Sequence, residues 1–138
     1  MKLVNYNRPF PASAFRFFDD HRTQASDGYR PAVNIVENDD QFELELLAPG
    51  RVKEHFNIAF NEGTLEIAYV TPEQEETTEV NYRRREFRLP DFTRRFKLDA
   101  KVIDDEAIAA DYVNGVLTLT LPKREEAQPK APRQIAIA

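Results

Sequence analysis

The sequence has no cysteine and no tryptophan, and it has only two histidines and four glycines among its 138 residues. Without cysteine the chain can form no disulfide framework and offers no thiolate nucleophile. Its two serines, Ser13 and Ser26, both lie near the N-terminus and outside any G-x-S-x-G context. The glycines stand singly at predicted turns, so the sequence has no glycine-rich phosphate loop and no support for ATP binding.

The histidines do not suggest a metal site, because His21 and His55 are far apart and lack ligand spacing such as H-x-x-x-H. We therefore expect no metal, no cofactor and no enzymatic activity. A net charge of −5 argues against general affinity for nucleic acid or anionic membranes. Apolar runs fall short of the roughly 18 residues of a membrane span. Because Asn, Arg and Pro interrupt the first ten residues, we expect no signal peptide and a cytoplasmic protein.

The sequence does contain a long region, residues 30–122, in which apolar and polar residues alternate with a period of two. Such alternation is typical of antiparallel strands with one buried face. The pairs Pro49-Gly50 and Asn114-Gly115 mark turns between the runs. Short strands at close spacing predict an all-β fold, an antiparallel β-sandwich. The residues predicted to share one face are, run by run, Phe42, Leu44 and Leu46; Phe56, Ile58 and Phe60; Leu65, Ile67 and Tyr69; Phe92, Arg94, Phe96 and Leu98; Ile108, Ala110 and Tyr112; and Leu117, Leu119 and Leu121.

The N-terminal segment, residues 1–29, is rich in phenylalanine but too short to form its own core. Its stretch SAFRFFDDHR could form a short helix with Ser13 as N-cap. The phenylalanines could pack on the sandwich or bind partners, since exposed apolar patches usually indicate partner binding. The four residues are Phe10, Phe15, Phe17 and Phe18.

A long charged excursion separates Tyr69 from Phe92: first the acidic VTPEQEETTEV, then the basic NYRRREFR. An excursion of this length is unusual within a compact sandwich, so it either stays in solvent or reaches another molecule. The next strand holds an anomaly, because Arg94 falls on the inward face beside Phe92 and Phe96. A buried guanidinium requires acceptors. Arg94 could be paired at an interface, or its head could extend to an edge.

The C-terminal segment, residues 123–138, is polar and rich in proline, which predicts an extended, mobile chain. It nevertheless ends in two large apolar residues, Ile135 and Ile137. Their spacing places both side chains on the same side of an extended strand, which suits docking against another molecule. The alternative is a frayed terminus.

Several segments in order resemble the α-crystallin domain of bacterial-type small heat-shock proteins. ADYVNGVLTLTLPK resembles the A-x-x-x-N-G-V-L signature that ends this domain, and QIAIA resembles the family's C-terminal I-x-I motif. PAVNIVENDDQFELELLAPG, VKEHFNIAFNEGTLEI and YRRREF…FTRRFKL agree as well. The resemblance covers residues 30–122 and the last few residues. It implies an immunoglobulin-like antiparallel β-sandwich with a short N-terminal arm and a flexible C-terminal extension.

The resemblance also implies roles for particular residues. The excursion would carry a strand that is exchanged with a second subunit and pairs with that subunit's strand near Val33–Val36. The implied dimer-interface residues are Tyr82, Arg84, Glu86, Phe87 and Arg94. Ile135 and Ile137 would dock in an edge groove of another dimer, whose matching residues are Phe56, Ile58, Phe60, Ile108 and Ala110. Two residues depart from the family pattern: Pro90 replaces a common Gly, and Asp99 replaces the usual Pro after Leu98.

The function implied by this resemblance is that of an ATP-independent holdase chaperone. Such a protein binds partly unfolded clients under heat or other stress and assembles from homodimers into larger oligomers. Client binding is expected mainly at Phe10, Phe15, Phe17 and Phe18. The alternative is an adaptor like the CS-domain co-chaperones, which have the same sandwich but bind a dedicated partner. Such an adaptor would not be expected to carry the excursion or the I-x-I motif.

Overall fold

The computed structural model of the chain describes residues 18–19, 28–73 and 80–137. The described residues form eight strands arranged in two antiparallel sheets, which confirms the predicted β-sandwich. The strands are β1 (Phe18–Asp19), β2 (Val33–Glu37), β3 (Gln41–Leu47), β4 (Phe56–Asn61), β5 (Thr64–Tyr69), β6 (Phe92–Lys97), β7 (Ala109–Val113) and β8 (Val116–Pro122). Three 3₁₀ turns, Lys53–His55, Asp105–Ala107 and Glu125–Ala127, punctuate the connections.

One sheet has the strand order β1-β6-β5-β4 and the other has the order β2-β3-β8-β7. Within the described residues, β1 and β4 are therefore the edges of the first sheet, and β2 and β7 are the edges of the second. The edges β4 and β7 face each other across the sandwich, because the rings of Phe56 and Tyr112 have centroids 5.1 Å apart. On the opposite side, Arg94 of β6 donates a hydrogen bond to the carbonyl of Pro31, just before β2.

The core lies between the two sheets and is built from the faces predicted by the alternation. Leu44, Leu46 and Leu119 are completely buried. From the first sheet, Leu65 and Ile67 pack into the same cluster. Burying one such side chain contributes about 1.5–3 kcal/mol relative to leaving it exposed. The alternation therefore locates the core in each central strand.

Tight turns set the register of two hairpins. Glu62 and Gly63 have φ values of 47° and 76°, and Asn114 and Gly115 have φ values of 52° and 80°. Positive φ at both central residues is the type I′ geometry, whose twist matches that of the flanking strands. A Cβ atom at position 115 would lie 2.9 Å from the Cα of Pro49, so the packing requires glycine there as well as the turn.

The N-terminal arm corrects one expectation. Phe18 and Asp19 pair with Lys97 and Phe96 of β6, so the predicted helix over SAFRFFDDHR is wrong at these two residues. The backbone instead extends an open sheet edge. The remaining residues of that stretch lie outside the described part of the chain.

Candidate functional site

The predicted edge groove would run between the facing edges β4 and β7. From β4 it is lined by Phe56, Ile58 and Phe60, which alternate with exposed polar or small residues and are half-buried. On the other side are half-buried Ile108, the residue just before β7, and Ala110 of β7. We call these five residues the edge groove. The fold thus places all five predicted groove residues at the two facing edges.

Ala110 is the exposed member of the edge groove. It lies two residues before Tyr112 on β7, and therefore on the same face of the strand. Tyr112 is half-buried against Phe56, whereas Ala110 is exposed. An apolar groove at an unpaired strand edge can accept an extended chain segment, because the edge supplies free backbone groups and the groove accepts alternate side chains.

The two isoleucines of the C-terminal extension are almost fully exposed in the single chain. Ile135 is 86% exposed and Ile137 is 99% exposed. They are the most exposed large apolar side chains of the described residues. They therefore do not occupy the edge groove of their own subunit.

The described part of the excursion is exposed over most of its length. Residues 80–91 form no strand, and residues 80–89 are all exposed, while residues 74–79 lie outside the described range. Phe87 is 76% exposed and Tyr82 is 56% exposed. Arg84 and Glu86 form an exposed ion pair with a 3.6 Å separation. Two of the predicted interface residues, Tyr82 and Phe87, thus have large aromatic side chains that are exposed to solvent.

The edge strand β2 is the other half of the predicted exchange. Among the described residues it pairs with β3 alone, so its outer edge is unpaired. Ile35 and Val36 on this strand are 39% and 45% exposed. An unpaired edge with apolar side chains is a template for an additional strand.

Arg94 lies inside the sandwich, as the alternation predicts, and is only 8% exposed. Its Nη1 donates to the carbonyl of Pro31, and its guanidinium carbon lies 5.2 Å from the ring centroid of Phe96. Burial, and then the nearby charge of Arg30, lower the pKa of Arg94 to about 10. The charged form is therefore poorly solvated within this chain. The carboxylate expected from an interface stays a prediction.

Of the four N-terminal phenylalanines, only Phe18 lies within the described residues. Phe10, Phe15 and Phe17 lie outside the described residues. The backbone of Phe18 pairs with Lys97 at the edge of the first sheet. The arm thus joins the sandwich at this point, and the client-binding role of its four phenylalanines stays a prediction.

A second buried guanidinium, that of Arg51, was not anticipated from the sequence. Arg51 follows the Pro49-Gly50 turn, where the alternation makes no prediction. It is 8% exposed, and its Nη1 and Nη2 donate to the carbonyls of Leu89 and Pro90 at 2.8 and 2.6 Å. Arg51 therefore fastens the end of the excursion to the sandwich.

Aromatic rings enclose the Arg51 guanidinium. Its central carbon lies 4.4 Å from the ring centroid of Tyr69 and 5.6 Å from those of Tyr29 and Phe92. The Tyr112 hydroxyl donates to the Ala48 carbonyl at 2.7 Å, which holds the preceding turn in place. The signal available in the sequence was the presence of aromatic residues at the end of β5, at the start of β6 and shortly before β2. Their convergence on one arginine depends on the tertiary fold.

The described residues offer little that suggests other chemistry. Among them, no group of three His, Cys, Asp or Glu side chains is placed to hold a metal ion. In the same part of the chain, no helix has the length and hydrophobicity needed to cross a membrane. His55 lies with Nδ1 3.3 Å from the Tyr69 hydroxyl, in the aromatic cluster around Arg51.

Comparison with known proteins agrees with this architecture. Residues 34–138 match the model of the Hsp20/alpha crystallin family. Heat shock protein 16 of Schizosaccharomyces pombe is 38% identical over 109 residues, covering 78% of this chain and 74% of that protein. Small heat shock protein C2 of Rickettsia felis is 34% identical over 96 residues, covering 70% of this chain and 62% of that protein. The solved structure of a small heat-shock protein from Xylella fastidiosa, which forms a distinct high-order structure, is 29% identical with a TM-score of 0.61, covering 80% of this chain and 97% of that one.

We call the two hydrogen bonds from Arg51 to the carbonyls of Leu89 and Pro90 the Arg51 clamp, and we predict the effect of removing it. Arg51→Met keeps most of the side-chain stem but removes both hydrogen bonds to the carbonyls of the excursion. Hydrogen bonds to charged groups contribute about 1.5–3 kcal/mol each, so we expect a loss of at least about 1.5 kcal/mol in the free energy of unfolding, measured by urea denaturation with circular dichroism. Arg95→Met is the matched control, because Arg95 forms one half-exposed ion pair with Glu66 at 2.6 Å. Equal losses in the two variants would contradict the clamp.

Proposed function

We propose a function from one premise: the chain belongs to the Hsp20/alpha crystallin family of small heat-shock proteins. This membership supports a chaperone role, with self-assembly and client binding in general terms. The finer proposal is that the protein is an ATP-independent holdase of the cytoplasm. It would bind partly unfolded proteins through apolar surface and prevent their aggregation, without making or breaking a covalent bond. The observation that carries the proposal is an exposed apolar tail motif in a chain whose facing edges β4 and β7 carry half-buried apolar side chains.

The proposal assigns a separate task to each region of the chain. Residues 1–29 would bind clients, residues 30–122 would form the dimer-building sandwich, and residues 123–138 would link dimers. Clients would be held by Phe10, Phe15, Phe17 and Phe18, and by the edge groove when no tail occupies it. The high content of charged residues, 31%, would keep client complexes soluble.

The dimer would form by strand exchange. Residues 82–87 of one subunit would pair with the open edge of β2 in the other. This pairing would cover Tyr82, Phe87 and Ile35, three apolar side chains that are exposed in the single chain. The exposed Arg84 and Glu86 would lie in the same interface, and Arg94 would face a carboxylate of the partner. Such a carboxylate would offset the unfavourable burial that lowers the pKa of Arg94.

Larger oligomers would form when Ile135 and Ile137 of one dimer enter the edge groove of another. Burial of two isoleucines contributes roughly 3–6 kcal/mol. Ordering the exposed tail costs about 1–2 kcal/mol per residue. A single docked tail is therefore weakly bound, and a closed assembly is held by many tails acting together. Heat can release dimers from such an assembly without unfolding the sandwich.

Tail docking predicts the behaviour of a double variant, Ile135→Ala with Ile137→Ala. Large oligomers should dissociate to dimers or small species, because the apolar area buried in each groove is lost. Light scattering measures the mass, and circular dichroism should show an intact sandwich. Ala136→Ser, between the two isoleucines, is the control and should keep the wild-type mass. An unchanged mass in the double variant would contradict docking, and a monomeric wild type would favour the adaptor alternative.

The exchanged dimer predicts a difference between two adjacent arginines. Arg94→Ala should lower the melting temperature, shift native mass spectra toward monomer, and increase hydrogen exchange at residues 82–87. Arg95→Ala should change all three only slightly, because Arg95 lies on the outer face in a half-exposed pair with Glu66. The dimer proposal would be wrong if residues 82–87 exchange freely in the wild type, or if Arg94→Ala keeps the native mass.

Client binding by the arm predicts a separable loss of activity. Changing Phe15, Phe17 and Phe18 to Ser should weaken suppression of aggregation of a heat-denatured client several-fold, because the apolar contacts are removed. Native mass should still show dimers. Full protection by the triple variant would move client binding to the edge groove.

A further inference from the structure

The beginning of the C-terminal extension is attached to the sandwich, although its composition predicts a mobile chain. The Lys123 amide donates to the Asp40 carbonyl at 2.7 Å, and the Arg124 amide donates to the Val102 carbonyl at 2.8 Å. Lys123 also forms an isolated antiparallel bridge with Ile103. The backbone is thus held from two sides immediately after β8.

The side chain of Lys123 completes this attachment. It is only 8% exposed, and its Nζ lies 2.8 Å from the Glu37 carboxylate. Nζ also donates to the Asn38 carbonyl at 2.8 Å and lies 4.6 Å from the ring centroid of Phe42. A buried ammonium is tolerated only when it is paired and hydrogen-bonded. Here Glu37 at the end of β2 supplies the paired carboxylate, and Asn38 in the following turn supplies the accepting carbonyl. Lys123 therefore fixes the extension to a defined point of the sandwich.

The attachment continues through a 3₁₀ turn over Glu125–Ala127 and ends at Gln128. The Gln128 side-chain amide donates a hydrogen bond to the Lys123 carbonyl at 3.2 Å. Arg124 Nη2 pairs with the Asp105 carboxylate at 3.0 Å. Residues 129–137, by contrast, are all exposed. We call residues 123–128 the anchor and residues 129–134 the tether.

The anchor determines how far the tail motif can reach. The tether contains two prolines, Pro129 and Pro132, and such chains extend about 3.1 Å per residue. From Gln128 to Ile135 the reach is about 22 Å. If the chain were free from Pro122 onward, the reach would be about 40 Å by the same rise per residue. Effective concentration falls roughly as the −3/2 power of linker length, so release of the anchor would lower it roughly 2.5-fold for each tail.

We propose that Lys123 is a positioning residue for assembly. By holding the anchor on the sandwich, it fixes the origin and the reach of the tether, so that each tail motif reaches only grooves within about 22 Å of Gln128. The partner that this geometry selects is a second dimer of the same chain in a restricted set of orientations. This inference rests on the proposed docking of Ile135 and Ile137, and it adds a residue that contacts neither the motif nor the groove.

The test compares Lys123→Met with Lys130→Met in the full chain. Lys123→Met keeps the stem over Phe42 but removes the charge, whereas Lys130 is an exposed tether residue. We expect Lys123→Met to increase hydrogen exchange across residues 123–128, to broaden the native mass distribution, and to raise the concentration at half-assembly at least 2- to 3-fold. Lys130→Met should match the wild type in all three. Glu37→Gln, which removes the carboxylate from the sandwich side, should act in the same direction as Lys123→Met.

A labelled peptide of residues 132–138 separates positioning from damage to the groove. It is titrated into chains carrying Ile135→Ala and Ile137→Ala, with and without Lys123→Met. Equal peptide affinity in the two backgrounds supports the proposal, because Lys123 then acts only through the tether. A lower affinity with Lys123→Met would show a structural effect on the groove and overturn it. Binding of the peptide with an unchanged mass distribution in Lys123→Met would also overturn it, while leaving docking intact. Failure of the peptide to bind at all would overturn docking and this inference together.

Discussion

The structure depends on one constraint: two open sheets bury their apolar faces against each other, and neither sheet closes on itself. Leu44, Leu46, Leu65, Ile67 and Leu119 fill the space between them. Since the sandwich does not close into a barrel, it has strand edges whose backbone groups face solvent or other chains. Proteins usually cover or charge such edges. Here the edges β2, β4 and β7 carry apolar side chains, which makes them suitable for binding further copies of the chain.

Buried cations mark the places where segments outside the sheets meet the sandwich. Arg51 binds the carbonyls of Leu89 and Pro90 at the end of the excursion, and Lys123 binds the Asn38 carbonyl at the start of the extension. Arg94 binds the Pro31 carbonyl where the chain enters β2. In each case a long side chain donates a hydrogen bond to the main-chain carbonyl of a residue outside the strands. A cation is suited to this task because charge-assisted hydrogen bonds are stronger than neutral ones.

Attached and free segments therefore alternate along the chain. The excursion is exposed over residues 80–89 and fastened at its end, whereas the extension is fastened over residues 123–128 and exposed afterwards. A free segment can bind another subunit, and a fastened one limits where that binding occurs. Under the proposed docking, weak contacts such as a pair of docked isoleucines would give an ordered assembly through their number and their restricted geometry.

Alternation with a period of two is enough to predict the sandwich, because it assigns each strand an inner face whatever its partner is. That is why Phe42, Phe96 and Leu119 are buried as predicted, and why Arg94 is buried with them. The sequence also pointed to Ile135 and Ile137, which are exposed, and its resemblance to the family implied the residues of the edge groove. No sequence pattern showed which edges face each other, that Phe18 and Asp19 extend a sheet, or that the side chains of Arg51 and Lys123 are buried. These features depend on residues distant in sequence, such as Arg51 with Pro90 and Lys123 with Glu37, whose approach is set by the packing of the two sheets and by no local pattern.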